Sequence, residues 1–455
     1  SSTTNPKVRL IASSKTNSAS ATYYVGVVIN SNSYTYTTSD NTAEAILTIK
    51  DENGSNVTSG VDGLTYVTSG GVSGFDVTGK TGLFNIKTDY PISTTSSSTG
   101  TTHTWTFTLT FVNLGTDQSD NENASMDLDV YLQKEKILTL AEHVISQYTG
   151  SQGDDSLYYH NSSLTNGAGD NSYRYAGASE SVNNFVCFGS TTNPCPTDNL
   201  YRIIGVFEDK VKLIKYDYAT SALLGTNGDY YEDVVASTDA YSSFYKGTLS
   251  NISLYYAGSE TALAYNLNET KKVQKLSRKN ELAVGDSCSG EKIKLNETAL
   301  GVINLNTNYY GLLSNDSKNK IVNNDWFINS VSANKLANSF TIYTSEYDNS
   351  EKTTVYSAYI GLMYLSDYAY ANSLNLWATE DYKETINSNW MYMGVQEGVI
   401  TYFDTCNPYS IRWDGTINSI GYSSPIAIRP TFYLKSDVLY KSGIGTISSP
   451  IILKK

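Results

Sequence analysis

The segment TTHTWTFTLTFVNL (101–114) sets Trp105, Phe107, Leu109 and Phe111 in strict alternation with threonine. Side chains of a β-strand point to opposite faces with a period of two, so this stretch reads as a strand with one buried and one wet face. A sheet with one apolar face needs a second layer to cover it. Six neighbouring segments rich in β-branched and aromatic residues supply the partners: ATYYVGVVI (21–29), YTYTT (34–38), AEAILTIKD (43–51), GLTYV (63–67), GLFNIKTDY (82–90) and MDLDVYLQK (126–134). Asn53-Gly54 and Asp62-Gly63 are turn dipeptides between them. Strands at this spacing predict a β-sandwich or jelly roll over residues 13–135.

The pattern breaks at ILTLAEHVISQY (137–148), where Leu140, Val144, Ile145 and Tyr148 recur at helical spacing and Gly150 follows as a stop. Residues 136–150 are therefore expected to form a linking helix. A polar stretch then leads to YRIIGVFEDKVKLIKYD (201–217), a hairpin around Glu208-Asp209. YIGLMYLSDYAYA (359–371) and AIRPTFYLKSD (427–437) read as later core strands, and ETALAYNLN (260–268) and SKNKIVNNDWFI (317–328) as helical. Residues 151–455 are expected to be one α+β domain with large insertions. The overall expectation is a mainly β chain with an α+β second domain.

Composition narrows the setting. The net charge of −13 repels phosphate backbones and anionic lipid headgroups. The basic cluster Lys271, Lys272, Lys275, Arg278 and Lys279 lacks interleaved aromatics and reads as a solvated face, so neither nucleic acid nor membrane is expected as a partner. No apolar run reaches the roughly 18 residues of a membrane span. The chain begins Ser1-Ser2-Thr3-Thr4, without an initiator methionine, which leads to the expectation of a processed, secreted protein at the cell surface.

In an oxidising compartment the cysteines Cys187, Cys195, Cys288 and Cys406 allow three pairings. The turn-forming FGSTTNP favours Cys187 with Cys195, leaving Cys288 with Cys406. A zinc site is the competing reading, but no C-x2-C pair occurs and His103, His143 and His160 lie far from the cysteines in sequence. The chain uses 38 Tyr against 12 Phe, which suits recognition surfaces and solvent-facing strands alike.

The layout of residues 1–135 resembles the TasA and camelysin type of secreted fibre subunit. That resemblance implies a free N-terminal segment that completes the β-structure of the next subunit. Residues 1–12 hold the candidate, KVRLIA, in which Val8 and Leu10 alternate with Lys7 and Arg9 before Ile11. An ordinary first strand of its own sheet is the alternative. The rest of the chain resembles a surface-protein domain of unknown function from gut Firmicutes and Mollicutes, itself similar to the lectin-like fold of formylglycine-generating enzymes. LYRIIGVFEDKVKLI (200–214), IGLMYLSDYAYA (360–371), NWMYMG (389–394), RWDGTIN (412–418) and AIRPTFYLKSDV (427–438) carry it, with Trp390, Trp413, Asp414-Gly415 and Arg429-Pro430 as the lectin-like motif. Only the scaffold carries over, because the cysteine chemistry of those enzymes has no counterpart here.

Catalytic signatures are absent: there is no G-x-S-x-G, H-E-x-x-H, phosphate loop or dinucleotide fingerprint. Asp154-Asp155 and Asp229 with Glu232-Asp233 are the densest acidic clusters, and solvated loops account for them better than a glycosidase pair. Asp117, Asp120 and Glu122, with Asn121 and Asn123, are calcium candidates without EF-hand spacing. An Arg before Pro on a core strand, as at Arg429, reads as an ion-pair or carbonyl clamp. The reading is a non-enzymatic subunit of an extracellular filament that polymerises with itself and needs no cofactor. A secreted adhesin for host glycan or protein is the alternative, and a hydrolase the weakest.

Overall fold

The alternating segment folds as β8 (Thr101–Phe111), flanked by β4 (Ala45–Lys50) on one side and by β1 (Thr3–Thr4) and β2 (Lys7–Ala12) on the other. β6 (Val72–Asp76) and β5 (Tyr66–Ser69) extend this six-stranded sheet beyond β4. In a second sheet β3 (Ala19–Asn32) lies between β7 (Gly82–Thr94) and β9 (Met126–Gln133). Every pairing in both sheets is antiparallel. Trp105, Phe107 and Leu109 of β8 and Leu47 and Ile49 of β4 share one core with Val25, Val27 and Ile29 of β3 and Phe84 and Ile86 of β7. Trp105 Nε1 donates to the Tyr23 hydroxyl at 2.7 Å, which satisfies a buried donor and ties the two sheets together through the core.

The coordinates are a computed structural model that describes residues 3–4, 7–12, 19–94, 100–236, 242–257, 261–265, 273–277, 295, 298–332, 336, 338–347, 354–378, 382, 386–403, 407–421 and 424–454. The chain is mainly β and divides into two compact units, Ser1–Ile137 and Leu138–Lys455. Within the first unit YTYTT (34–38) is not a strand. Its backbone is satisfied by side chains instead of a ladder: Thr35 N–H donates to Asn121 Oδ1 at 2.9 Å and Thr37 N–H to Glu44 Oε1 at 2.6 Å.

In the second unit an eight-stranded sheet draws on both ends of the sequence. It contains β10 (Leu157–Tyr159), β11 (Tyr173–Tyr175), β12 (Phe185–Cys187), β13 (Leu200–Phe207), β14 (Lys210–Lys215), β25 (Thr431–Leu434), β26 (Tyr440–Ser442) and β27 (Ile451–Leu453). A six-stranded sheet holds β15 (Tyr230–Val235), β16 (Asn251–Tyr256), β21 (Glu397–Tyr402), β22 (Pro408–Ile411), β23 (Ile417–Ser419) and β24 (Pro425–Ala427). β17 (Thr261–Tyr265) pairs with β18 (Val273–Ser277), and β19 (Asn324–Ile328) with β20 (Thr354–Ala358). The helices are α1 (Leu140–Ile145), α2 (Ser221–Leu224), α3 (Tyr310–Leu312), α4 (Asn315–Lys320), α5 (Ser339–Glu346) and α6 (Leu365–Tyr370), with a π-helix over Leu300–Tyr309.

Several expectations change here. The helix over 136–150 is the shorter α1 and does not act as a linker: Leu140, Ala141 and Val144 are buried in the second unit's core, and Leu140 N–H donates to Val438 O at 2.7 Å. The hairpin around Glu208-Asp209 forms as β13 and β14, with Glu208 at φ +58°. In 359–371 a helix, α6, stands where a strand was expected. All six of its residues are buried, so no period separates helix from strand, and the Asp367 carboxylate decides by accepting Tyr364 N–H at 2.8 Å as a cap. The expected helix at 260–268 is the strand β17 over Thr261–Tyr265, held by its ladder to β18. In 317–328 only α4 is helical; it stops where Ile321 bridges Leu434, and β19 follows.

Candidate functional site

Two places gather the residues singled out in the sequence. The first is the outer side of β8. β2 runs antiparallel along it, with Lys7 opposite Thr106, Val8 opposite Trp105, Arg9 opposite Thr104, Leu10 opposite His103 and Ile11 opposite Thr102. The N-terminal segment thus covers, within its own chain, the backbone edge that β8 would otherwise expose.

The second is the neighbourhood of RWDGTIN in the second unit. Asp414 Oδ1 accepts the Thr416 N–H at 3.2 Å and the Thr416 hydroxyl at 2.6 Å, closing an Asx turn. Gly415 completes the turn at φ +83°, where a Cβ would lie 2.4 Å from Ile386 Cγ2. The turn sets the Trp413 ring against Phe244, with centroids 4.7 Å apart, and Arg412 over Trp413 at 5.7 Å. The Tyr392 hydroxyl donates to Trp413 O, and Lys246 Nζ lies 4.9 Å from the Tyr392 ring centre. Phe244 is 40% exposed and Trp413 half-buried, so the cluster presents an aromatic surface rimmed by charge. Burial pushes the Asp414 carboxyl up, but the hydrogen bonds from Thr416 and the Arg412 charge outweigh it and hold it below its ordinary value. Burial, with Asp414 adding to it, pushes the Tyr392 hydroxyl up to about 12. At neutral pH the patch therefore offers a carboxylate anion, while the buried Tyr392 phenol stays protonated and bonded to Trp413 O beneath it.

The other motif residues lie inside the fold. Arg429 is 1% exposed; its Nε and Nη2 donate to Glu397 Oε1 at 2.7 Å and Oε2 at 2.8 Å, and Nη2 also reaches Met391 O at 2.6 Å. It is both an ion-pair and a carbonyl clamp. Pro430 O accepts from Lys215 N–H at 3.0 Å. Trp390 is buried, donates to Tyr175 O at 2.8 Å, and carries the Arg202 guanidinium 4.7 Å from its ring centre.

Cys187 and Cys195 form a disulfide with Cα atoms 5.8 Å apart. Cys288 and Cys406 lie outside the described residues, as do Lys271, Lys272, Arg278 and Lys279 of the basic cluster. Beside the disulfide loop is a cleft of about 280 Å³ lined by Gly189, Ser190, Asp316, Lys320 and Lys454.

The calcium candidates do not converge. Asp117 Oδ1 accepts Ser119 N–H at 3.0 Å, and the Asn121 amide is drawn away to Thr35 O and Glu44 Oε2, both at 2.7 Å. Asp120 and Glu122 stay exposed, and among the described residues no group of three acidic, His or Cys side chains is placed to hold a metal. Of the acidic clusters, Asp229 is buried and its Oδ2 accepts Leu300 N–H at 2.7 Å, while Asp233 Oδ1 accepts the Ser253 hydroxyl at 2.5 Å. Among the described residues no helix is long and apolar enough to cross a membrane.

Sequence reasoning missed a buried polar group in the second unit's core: Lys212 of β14, Asp367 of α6 and Glu346 of α5 are 0%, 3% and 2% exposed. KVKLIK gave no clear signal, because three lysines in six residues also suit an exposed edge strand. Comparison of the chain with family models, with curated proteins and with solved structures returns no match.

Proposed function

We propose that this protein is a subunit of an extracellular filament, assembled head-to-tail when the N-terminal strand of one copy pairs with β8 of the next. The observation that carries the reading is β2, a six-residue strand covering the edge of β8 by backbone pairing from Lys7–Thr106 to Ala12–Thr101. Such a strand is exchangeable, because an identical segment from another copy offers the same hydrogen bonds in the same register. Exchange in one direction is a heterologous contact that does not close, so it propagates a fibre. In this reading the first unit is a jelly-roll-like assembly module and the second, lectin-like unit is displayed on the fibre. The disulfide supports an extracellular setting.

Negative-stain electron microscopy of the purified chain tests it. Full-length protein should give fibres, and deletion of residues 1–12 should leave a folded monomer. Replacing Val8 and Leu10 by Asp should do the same, because a charged strand cannot seat in an apolar sheet. Fibres of unchanged diameter from the truncated chain would sink the proposal.

A second reading, adhesion, is favoured by the exposed aromatic pair of Phe244 and Trp413 with Arg412, Lys246 and Asp414 around it, a composition suited to stacking and hydrogen bonding with glycan or protein. Trp413→Ala should then abolish retention on a glycan or host-protein array without lowering the melting temperature of the first unit.

A further inference from the structure

We propose that the side chains of Lys212 and Asp367 condense to an intramolecular amide, a covalent cross-link between β14 and α6 in the core of the second unit. Lys212 Nζ stands 2.5 Å from Asp367 Oδ2, with the lysine fully buried and the aspartate 3% exposed. Aromatic rings surround the ammonium: Tyr364 at 4.3 Å, Tyr433 at 5.1 Å, Trp326 at 5.6 Å and Phe207 at 5.7 Å from Nζ to ring centre. A charged pair in such a box pays a desolvation penalty that its mutual attraction barely offsets. An amide in its place is neutral.

The surroundings also prepare the reaction. Asp367 is held by the Tyr364 N–H at 2.8 Å, so its carboxyl presents one fixed face to the amine, and pre-set contact of this kind replaces an encounter in solution. Burial lowers the Lys212 pKa against the opposing pull of Asp367, which favours the uncharged amine that attacks. Glu346 lies next to the pair: its Oε1 accepts Leu365 N–H at 2.9 Å and its Oε2 accepts Ser366 N–H at 3.1 Å, immediately before Asp367 in the chain. Burial pushes this carboxyl up to about 7, so both its forms are available near neutral pH. Glu346 is a positioning residue that also stands where a proton can be lent and recovered. Arg174, paired with Asp170 at 2.6 Å, is the other nearby cation and adds to the pressure on Lys212 to be neutral.

The step balances without an oxidant or co-substrate. Nζ attacks the Asp367 carboxyl carbon, the N–C bond forms, and one C–O bond breaks. Of the three hydrogens of the ammonium, two leave with that oxygen as water and one stays on the amide nitrogen. The product joins positions 155 residues apart, and such a link removes the conformational freedom of a long loop from the unfolded chain. It would also bar separation of β14 from α6 under load, a property independent of whether the chain assembles.

Intact-mass spectrometry of the reduced, denatured full-length chain tests this directly. One water less than the sequence mass is expected, with a branched peptide joining the segments around Lys212 and Asp367 after digestion. A chain of full sequence mass with linear peptides at both positions overturns the proposal, and that measurement needs no variant. Asp367→Ala and Lys212→Met should each restore the full mass; a persistent deficit would place the lost water elsewhere and overturn it too. Asp367→Asn should converge on the wild-type mass, because an asparagine condenses with loss of ammonia to the same amide. Glu346→Gln should keep the fold yet leave part of the purified chain at the full sequence mass, as should Glu346→Ala; a Gln variant condensed as completely as wild type would remove Glu346 from the step.

Discussion

The two units bury charge in opposite ways. In the first, the buried carboxylate Glu44 is met by neutral donors: the Thr37 N–H at 2.6 Å and hydroxyl at 2.5 Å, and the Gln118 and Asn121 amides, both at 2.7 Å. Burial pushes its pKa up, these hydrogen bonds outweigh the push, and the net shift is downward. In the second, buried acids and bases face each other, as in Arg429–Glu397 and Lys212–Asp367, while Glu346 relies on Thr401 and two backbone N–H groups and is pushed up to about 7. Glu346 is buried more deeply and lies beside the Asp367 charge, so desolvation outweighs its hydrogen bonds where Glu44's hydrogen bonds outweigh the lesser burial. Among its described residues the first unit buries one charged group, Glu44, whereas the second buries several that face one another.

Removing a member of those internal pairs should have the largest effect. Arg429→Met leaves Glu397 buried without its bidentate partner and should cost about 3–5 kcal/mol. The loss should appear in the second unit's calorimetric transition and leave the first unit's unmoved, and adding Glu397→Leu should recover most of it. Equal shifts of both transitions would break the contrast. The matching change in the first unit is Leu47→Ala, in a core without paired charges, where about 3 kcal/mol should be lost from that unit alone.

Acidity sharpens the same contrast. The raised pKa of Glu346 means that its contribution is complete below its ordinary value of 4.5 and is lost as pH rises from there to about 7. The depressed pKa of Glu44 has the opposite sign: its contribution is present above 4.5 and fades as pH falls through its folded value. Thermal unfolding of Glu346→Gln should therefore show a flatter decline of the second unit between pH 4.5 and 7 than wild type. The deficit of Glu44→Gln in the first unit should shrink on acidification. Identical pH profiles for wild type and variant would remove the carboxylate concerned from the account. The smallest effect is expected at α1, whose capping box joins Thr139 and Glu142 by hydrogen bonds of 3.1 and 3.0 Å. Thr139→Ala should cost about 1 kcal/mol, read in the second unit because α1 packs there.

The first unit was largely readable in advance. Trp105, Phe107 and Leu109 point inward as their alternation predicts, since a strand with one buried and one wet face leaves its period in the sequence. YTYTT carries strand-forming residues, yet the nearby Glu44 and the distant Asn121 capture amides a ladder would have used. β6 was overlooked although Gly70-Gly71, at φ +51° and +78°, is the two-residue turn that makes β5 and β6 a hairpin. In the second unit the readable part was the β13–β14 hairpin and the Arg429 clamp.

The amino-acid sequence by itself determined the strand period of the first unit, the hairpin at Glu208-Asp209 and the short disulfide loop, because each depends on residues close together in the chain. Only the tertiary structure decided that α6 is a helix, that α1 belongs to a core, and that Lys212, Asp367 and Glu346 meet. The physical reason is that segments buried on all sides carry no polar face to mark their period. A lysine and an aspartate 155 positions apart become partners only when β14 and α6 are packed against the same aromatic rings.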